Sequence, residues 1–399
     1  MKANQTMTMN NIGLAIFILF WCGLVVLSSL YMTIPLLHSF QEEFHLTSNQ
    51  AAWVGSVFSI FFSLGCLFFG IMSERLGMKR VMVWGLVCLS LLTFLVGFSN
   101  SYYQLLFLRG LQGLAAATFS PVALTYVGIV FPSDKRSTAI GFISFGFLLA
   151  GIVGQLVSSY VEVLAEWRAA FYFFGVTYVL AAFMLLILPK DRSDQYKDLV
   201  IIIKKLALPF KDRQIVISYC IALTILLSFV GMYTALGTYL TNTFDFNEQQ
   251  VFLVRVAGIL GILLSPFSGF FSSKVGLFGL LRIGLCLSIL GLLVMGFSTH
   301  LYVTIIMSVV FVSGISVIIP TMIIVVGKLG GSNRGIVTSV YTFFLFVGAS
   351  LGPIVTTTLT RLGNASLPFS SLSGLLLVSL ILSLFMTANE WKQVKEKTV

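Results

Sequence analysis

The chain has 399 residues, of which 58% are hydrophobic and only 10% charged, and its mean hydropathy is +1.01. Soluble chains average about 45–50% apolar and 25% charged residues, so these values exclude an ordinary globular protein and describe one whose surface meets lipid. The net charge of +10 would suit a nucleic-acid binder only if the basic residues clustered on one face, and their spacing along the chain gives them another role.

A hydrocarbon core of about 30 Å needs roughly 20 apolar residues per helix, and such runs recur along the whole length. They predict twelve membrane helices at 12–37, 48–72, 81–98, 102–131, 138–160, 169–189, 214–241, 249–272, 280–298, 301–327, 335–360 and 368–388. The first run follows a short polar segment with Lys2 and shows no small-residue cleavage pattern, so it reads as a retained helix. Of the 24 Lys and Arg residues, 20 lie at the chain ends or in the even-numbered turns, around Arg75 to Arg80, Lys135, Lys190 to Arg213, Lys274 and Lys328. The positive-inside rule then places both termini in the cytoplasm and accounts for the net charge without a nucleic-acid partner. Five cysteines, Cys22, Cys66, Cys88, Cys220 and Cys286, fall inside predicted helices with no metal-ligand spacing and read as packing residues.

Residues 189–213, PKDRSDQYKDLVIIIKKLALPFKDR, interrupt the hydrophobic pattern with six helices on either side. The predicted organisation is an N-terminal bundle over 1–189, a cytoplasmic loop over 190–213 and a C-terminal bundle over 214–399. Within the loop, LVIIIKKLALPF is amphipathic and would lie along the membrane interface with Lys204 and Lys205 towards the head groups. The two halves repeat one another. GIMSERLGMKR (Gly70 to Arg80) matches GFFSSKVGLFG (Gly269 to Gly279) through Gly70/Gly269, Ser73/Ser272, Arg75/Lys274 and Gly77/Gly276, and Pro121 and Pro320 share the same offset of 199. The fold class is therefore an all-α integral membrane protein of twelve transmembrane helices in two pseudo-symmetric six-helix bundles, as in rocker-type transporters that bind cargo between the halves.

Three stretches carry a resemblance. GIMSERLGMKR looks like the signature turn of the major facilitator superfamily, G-x-x-x-D-R-x-G-R/K-R/K, with Glu74 in the acidic place. RGLQG, Arg109 to Gly113, is similar to the R-x-x-Q-G pattern on that family's fourth helix. The segment from Tyr31 to Ile60 resembles the end of helix one and the start of helix two in its bacterial efflux, drug:proton antiporter-like branch. The resemblance implies that Gly70, Glu74, Arg75, Gly77, Lys79 and Arg80 form a latch between the halves, with Glu74 facing the start of helix eleven near Arg334 to Val337. A carboxylate at a helix N-terminus is stabilised by the helix dipole by about 0.3–1 kcal/mol.

Arg109, Gln112, Gly113 and Ala116 share one helix face at i, i+3, i+4 and i+7. A charge within the bilayer points to function, and the resemblance makes Arg109 part of the proton-coupling machinery on a face turned to a central cavity; the other reading is a structural, hydrogen-bonding arginine. Arg255 on helix eight is a weaker echo that could also snorkel to the outer surface. None of the 14 Asp and Glu residues falls in a predicted helix interior. A cavity with arginines and no acid favours anionic or neutral polar cargo over lipophilic cations. Tyr31, Tyr126, Gln155 and Tyr233 are the polar groups expected near the cargo alongside Gln112, although each aromatic alone also fits plain packing.

GFLLAGIVGQ, with Gly146, Gly151 and Gly154, is the nearest counterpart of the branch's antiporter pattern and lacks its proline; GASLGP, with Gly348, Gly352 and Pro353, has the G-x-x-x-G-P form in the second half. Small residues at this spacing let helices approach closely. His38 and Glu42 form an i, i+4 pair that reads as a surface pair before a metal or proton site.

The expected function is secondary active export of a small organic molecule in exchange for protons, with uptake of an anionic metabolite by proton symport as the alternative. A membrane enzyme would need a catalytic constellation at one depth, a receptor a soluble domain, and a nucleotide-driven pump a phosphate loop; the sequence contains none of these patterns. The expected partners are the cargo, protons and the lipid bilayer, with no cofactor and no metal, in a monomer of the bacterial inner membrane. Arg109→Ala is expected to abolish transport and leave folding intact.

Overall fold

The computed structural model describes residues 9–191, 205–362 and 366–386. The chain divides into two compact units, Met1–Lys204 and Lys205–Val399. Among the described residues there is no strand, and twelve helices are long and apolar enough to cross a membrane. Helices satisfy their own backbone groups, which lipid cannot do.

The first unit contains α1 (Met9–Tyr31), α2 (Ser48–Leu76), α3 (Met78–Gly97), α4 (Tyr102–Val130), α5 (Arg136–Ala165) and α6 (Trp167–Ile187). The second contains α7 (Arg213–Phe244), α8 (Glu248–Val275), α9 (Leu277–Phe297), α10 (Leu301–Leu329), α11 (Arg334–Thr360) and α12 (Leu367–Leu384). The internal repeat is visible in the packing partners. In the first unit α1 packs on α5, α2 on α4 and α3 on α6; in the second, α7 packs on α11, α8 on α10 and α9 on α12.

Glycines set the closest of these approaches. A Cβ at Gly146 would stand 2.7 Å from the Phe20 carbonyl oxygen, and one at Gly154 2.9 Å from that of Ser28, so α5 lies directly on the α1 backbone. Gly151, between them, only meets the Tyr31 ring at 3.8 Å. In the second unit Gly352 faces the Leu227 oxygen at 2.6 Å and Gly348 the Leu223 oxygen, which brings α11 onto α7. Pro353 sits inside α11 without interrupting it.

Prolines explain where the helices depart from the predicted spans. A helical proline removes one hydrogen bond, and its ring clashes with the carbonyl four residues earlier. Helix α1 stops at Tyr31, four residues before Pro35, instead of running to 37; a separate short helix, Leu37–Phe44, follows. Helix α4 breaks after Ala116 and resumes at Ser120, around Pro121. Helix α8 is interrupted at Gly258 and again after Ile262, ahead of the single 3-10 turn Ser265–Phe267 that holds Pro266. By contrast α10 runs unbroken through Pro320, so the paired prolines of helices four and ten have different effects.

Three helix junctions consist of a single residue with positive φ. Gly77 (φ 92°) joins α2 to α3 and Gly276 (φ 77°) joins α8 to α9, but the α5–α6 junction is Glu166 at φ 81°. Cys22 and Cys66 are buried, whereas Cys88, Cys220 and Cys286 are exposed on helix surfaces and do not pack as expected. Of the interfacial segment, Lys204 lies outside the described residues, and Lys205–Lys211 forms a 3-10 turn.

Candidate functional site

The first polar centre is built on α4. Arg109 is fully buried. Its Nε donates to the Val54 carbonyl on α2 (3.2 Å), Nη2 to the Ser29 carbonyl on α1 (3.2 Å) and Nη1 to Gln112 Oε1 (2.6 Å). Gln112 Nε2 passes the chain on to Thr93 Oγ1 of α3 at 2.7 Å. The Phe58 ring covers the guanidinium at 4.3 Å, and Tyr178 of α6 meets the Ser29 hydroxyl at 2.5 Å. No carboxylate appears among these partners; oriented carbonyl dipoles and a ring quadrupole surround the charge instead.

The residue pattern follows from this geometry. Gln112, one turn on, both receives from the arginine and donates to α3. Gly113 is required because a Cβ there would strike the Phe58 carbonyl of α2. The face carrying Arg109 therefore points into the first unit, between α1, α2 and α3.

The basic turn is anchored from an unexpected quarter. Gly77 has no side-chain oxygen with which to cap α3, and Asp191, just beyond α6, does so: its carboxylate accepts from Met78 N at 2.6 Å and Lys79 N at 3.0 Å. Lys79 Nζ donates to the Leu186 carbonyl at 2.6 Å and to that of Leu188, at the C-terminal end of α6. Tyr126 on α4 donates to the Pro189 carbonyl at 2.7 Å. Charges of both signs thus sit at the helix ends that favour them. Tyr126 is buried with its hydroxyl committed to this junction, which ties α4 to the chain beyond α6. In the turn, Asp191 of the same unit is the acid seated on the N-terminus of α3. Asp191 had read only as one more loop charge; the signal for it was a helix start, Gly77 to Met78, lacking its own cap.

In the second unit Arg255 and Tyr233 come together. Arg255 Nη2 donates to the Tyr233 carbonyl at 3.3 Å, and the bare Cα of Gly237 leaves it room, since a Cβ there would lie 3.0 Å from Nη2. The Tyr233 hydroxyl is buried without a hydrogen-bond partner among the described residues and lies against Gly258, where α8 is interrupted. Phe229 packs edge-on to its ring at 5.2 Å. A half-buried guanidinium beside a buried phenol at a helix break offers donors to an anionic group. Gln155 folds back on its own helix, donating to the Gly151 carbonyl at 2.5 Å, and Tyr31 lies over Gly151.

The end of the first unit opposite the basic turn has its own ion pair. Arg168 donates to Glu43 at 2.9 Å and to the Ser99 carbonyl at 3.3 Å, and stacks over Trp167 at 4.4 Å. The hydrogen bond from Arg168 holds the Glu43 carboxyl below its usual range. Ser39 donates to Glu162 beside it. His38 and Glu42 form an exposed pair at 3.5 Å. Among the described residues no cluster of His, Cys, Asp or Glu is arranged to hold a metal.

Comparison with known proteins places this geometry. The family model described as Major Facilitator Superfamily matches residues 19–353. A relative named as an uncharacterized transporter, from Buchnera aphidicola subsp. Schizaphis graminum, is 26% identical over 354 residues, covering 88% of this chain and 85% of the relative. The sialic acid transporter NanX of Escherichia coli is 26% identical over 276 residues, 67% of each chain. Among solved structures, the human organic anion transporter MFSD10 (TETRAN) superposes with a TM-score of 0.76 at 18% identity, over 93% of this chain and 99% of that one; this likeness is one of fold.

Proposed function

The chain belongs to the Major Facilitator Superfamily, and on that premise we propose that this membrane transporter carries a small organic anion by alternating access, exporting it in exchange for protons. The observation that carries the reading is the Arg255–Tyr233 pair: a half-buried guanidinium and a buried hydroxyl with no hydrogen-bond partner among the described residues, at the break in α8, in a chain whose described acids lie at helix ends or outside the helices. A carboxylate or phosphonate of the cargo would accept from both. The similarity to a transporter named for sialic acid supports an acidic cargo, and it also sustains the second reading, uptake of an anionic metabolite by proton symport.

Arg109 then serves coupling indirectly. Its donors bridge the backbones of α1 and α2, so a movement of α4 must exchange these bonds, and proton arrival elsewhere in the unit would bias that exchange. The protein would act as a monomer in the bacterial cytoplasmic membrane with both termini inside, drawing on the proton gradient and no cofactor.

The test is a thermal-shift screen of purified protein with monocarboxylates, acidic sugars, neutral sugars and cationic dyes, followed by flux into proteoliposomes under an imposed pH gradient. Anions are expected to stabilise wild type, and Arg255→Gln to lose the response while Arg255→Lys keeps part of it. Stabilisation by cationic dyes alone would overturn the assignment.

A further inference from the structure

A groove of about 500 Å³ lies on the side of the first unit, lined by α2, α3 and α4. Its walls are apolar: Phe69 and Leu76 from α2, Trp84 and Cys88 from α3, Leu111 from α4. The one hydroxyl, of Thr118, is already spent on the Ala115 carbonyl at 2.7 Å. Its floor is shaped by Gly85, whose missing Cβ leaves the space that Thr118 fills. Trp84 is 68% exposed, so the groove opens sideways, where a membrane helix meets acyl chains.

The rim carries one cation. Arg80 lines the groove at the basic turn, is exposed, and makes no hydrogen bond or ion pair with any described residue. Its neighbour Lys79 points the other way and is consumed by the carbonyls ending α6. From Arg80 to Leu92, both lining residues, the groove follows twelve residues of α3, about 18 Å of helix. One leaflet contributes about 15 Å of the hydrocarbon core. An apolar channel as deep as one leaflet, with a lone cation at its headgroup end, is complementary to a single kind of occupant.

We propose that this groove seats one acyl chain of an anionic phospholipid from the leaflet beside the basic turn, with the lipid phosphate on Arg80. The guanidinium suits this role because it snorkels on its aliphatic stem and accepts phosphate in a two-point fork. A basic residue near an anionic leaflet favours such lipids by a factor of about five. This binding is independent of the cargo and needs no movement between the two units.

Trp84 supplies the readout. Full-length protein is reconstituted into phosphatidylcholine nanodiscs containing increasing amounts of either phosphatidylglycerol or phosphatidylcholine brominated on the acyl chain, and the Trp84 signal is taken as the difference between wild type and Trp84→Phe. Bromine quenches on contact. Quenching by brominated phosphatidylglycerol is expected to saturate at about a fivefold lower mole fraction than quenching by brominated phosphatidylcholine, and Arg80→Gln should merge the two curves. Because Arg80 has no partner in the described fold, Arg80→Gln removes no internal bond; unchanged melting of that variant is the control for folding. Equal curves in wild type, or a preference that survives Arg80→Gln, would overturn the proposal. So would displacement by free brominated stearate at matched concentration, which would make the groove a port for soluble amphiphiles.

Discussion

Shortening or replacing Arg109 tests whether its guanidinium lies in a closed shell. The side chain makes three charge-assisted hydrogen bonds, to Val54, Ser29 and Gln112, and stacks under Phe58. Lysine keeps the charge but, as a point donor, meets about one of the three acceptors and loses the planar stacking. At about 1.5–3 kcal/mol for each hydrogen bond to a charged group, losing two costs at least about 3 kcal/mol. Alanine removes the charge and leaves a hole the size of the side chain, with a comparable or larger cost. The expectation from sequence, that Arg109→Ala leaves folding intact, is revised accordingly: the variant should insert into the membrane but melt well below wild type. The assay is thermal or denaturant unfolding of purified protein followed by tryptophan fluorescence, with Gln112→Leu and the double variant completing a mutant cycle. Singles should each destabilise, and the double should cost less than their sum. Melting of Arg109→Lys within about 0.5 kcal/mol of wild type, the range of an unconstrained surface position, would refute the closed-shell description and return Arg109 to a water-facing wall.

Asp191→Ala removes both caps from α3 and should destabilise the first unit by about 2 kcal/mol, with Asp191→Asn retaining part of it; proteolysis or hydrogen exchange at the α2–α3 turn is the measurement. Glu166 occupies a backbone region that glycine tolerates and other residues resist, so Glu166→Gly should raise the melting temperature, by relief of about 1 kcal/mol. A melting temperature lower than wild type would contradict the strain. The Glu43 carboxyl is held below its usual range by Arg168, and for a lowered carboxylate pKa the stabilisation is present above the ordinary value of about 4.3 and is lost as pH falls through the folded-state value. Wild type should therefore melt higher than Glu43→Gln at pH 7, and the difference should begin to shrink as pH falls below about 4.3 and vanish only below the lowered folded-state value.

Much of the architecture was legible because lipid simplifies the code. Span number, two-fold organisation and the glycines that seat α5 on α1 and α11 on α7 follow from hydropathy, the 199-residue repeat and small-residue spacing. Proline positions were equally plain in the sequence, but whether Pro121 breaks a helix while Pro320 rides inside one depends on the surrounding packing. Tyr126 and Tyr233 look alike by residue type; one hydroxyl closes the end of α6 and the other meets Gly258. The largest gap was Asp191. Linear reading sees a loop acid after Pro189, and only the folded path brings it to the start of α3.

That cap also sets a schedule for biogenesis. Asp191 lies 113 residues after Met78, and at roughly 5–20 residues per second of synthesis the α3 terminus waits about 6–23 seconds between leaving the ribosome and meeting its carboxylate. Lys79 waits almost as long for the carbonyls of Leu186 and Leu188. During that interval the hairpin of α2 and α3 sits in the membrane with an uncapped helix and an unneutralised lysine, and translation of the sixth helix supplies both remedies at once. The first unit thereby acquires a completion signal before the seventh helix is made, and truncations ending just before or just after residue 191 should differ sharply in their survival against membrane proteases.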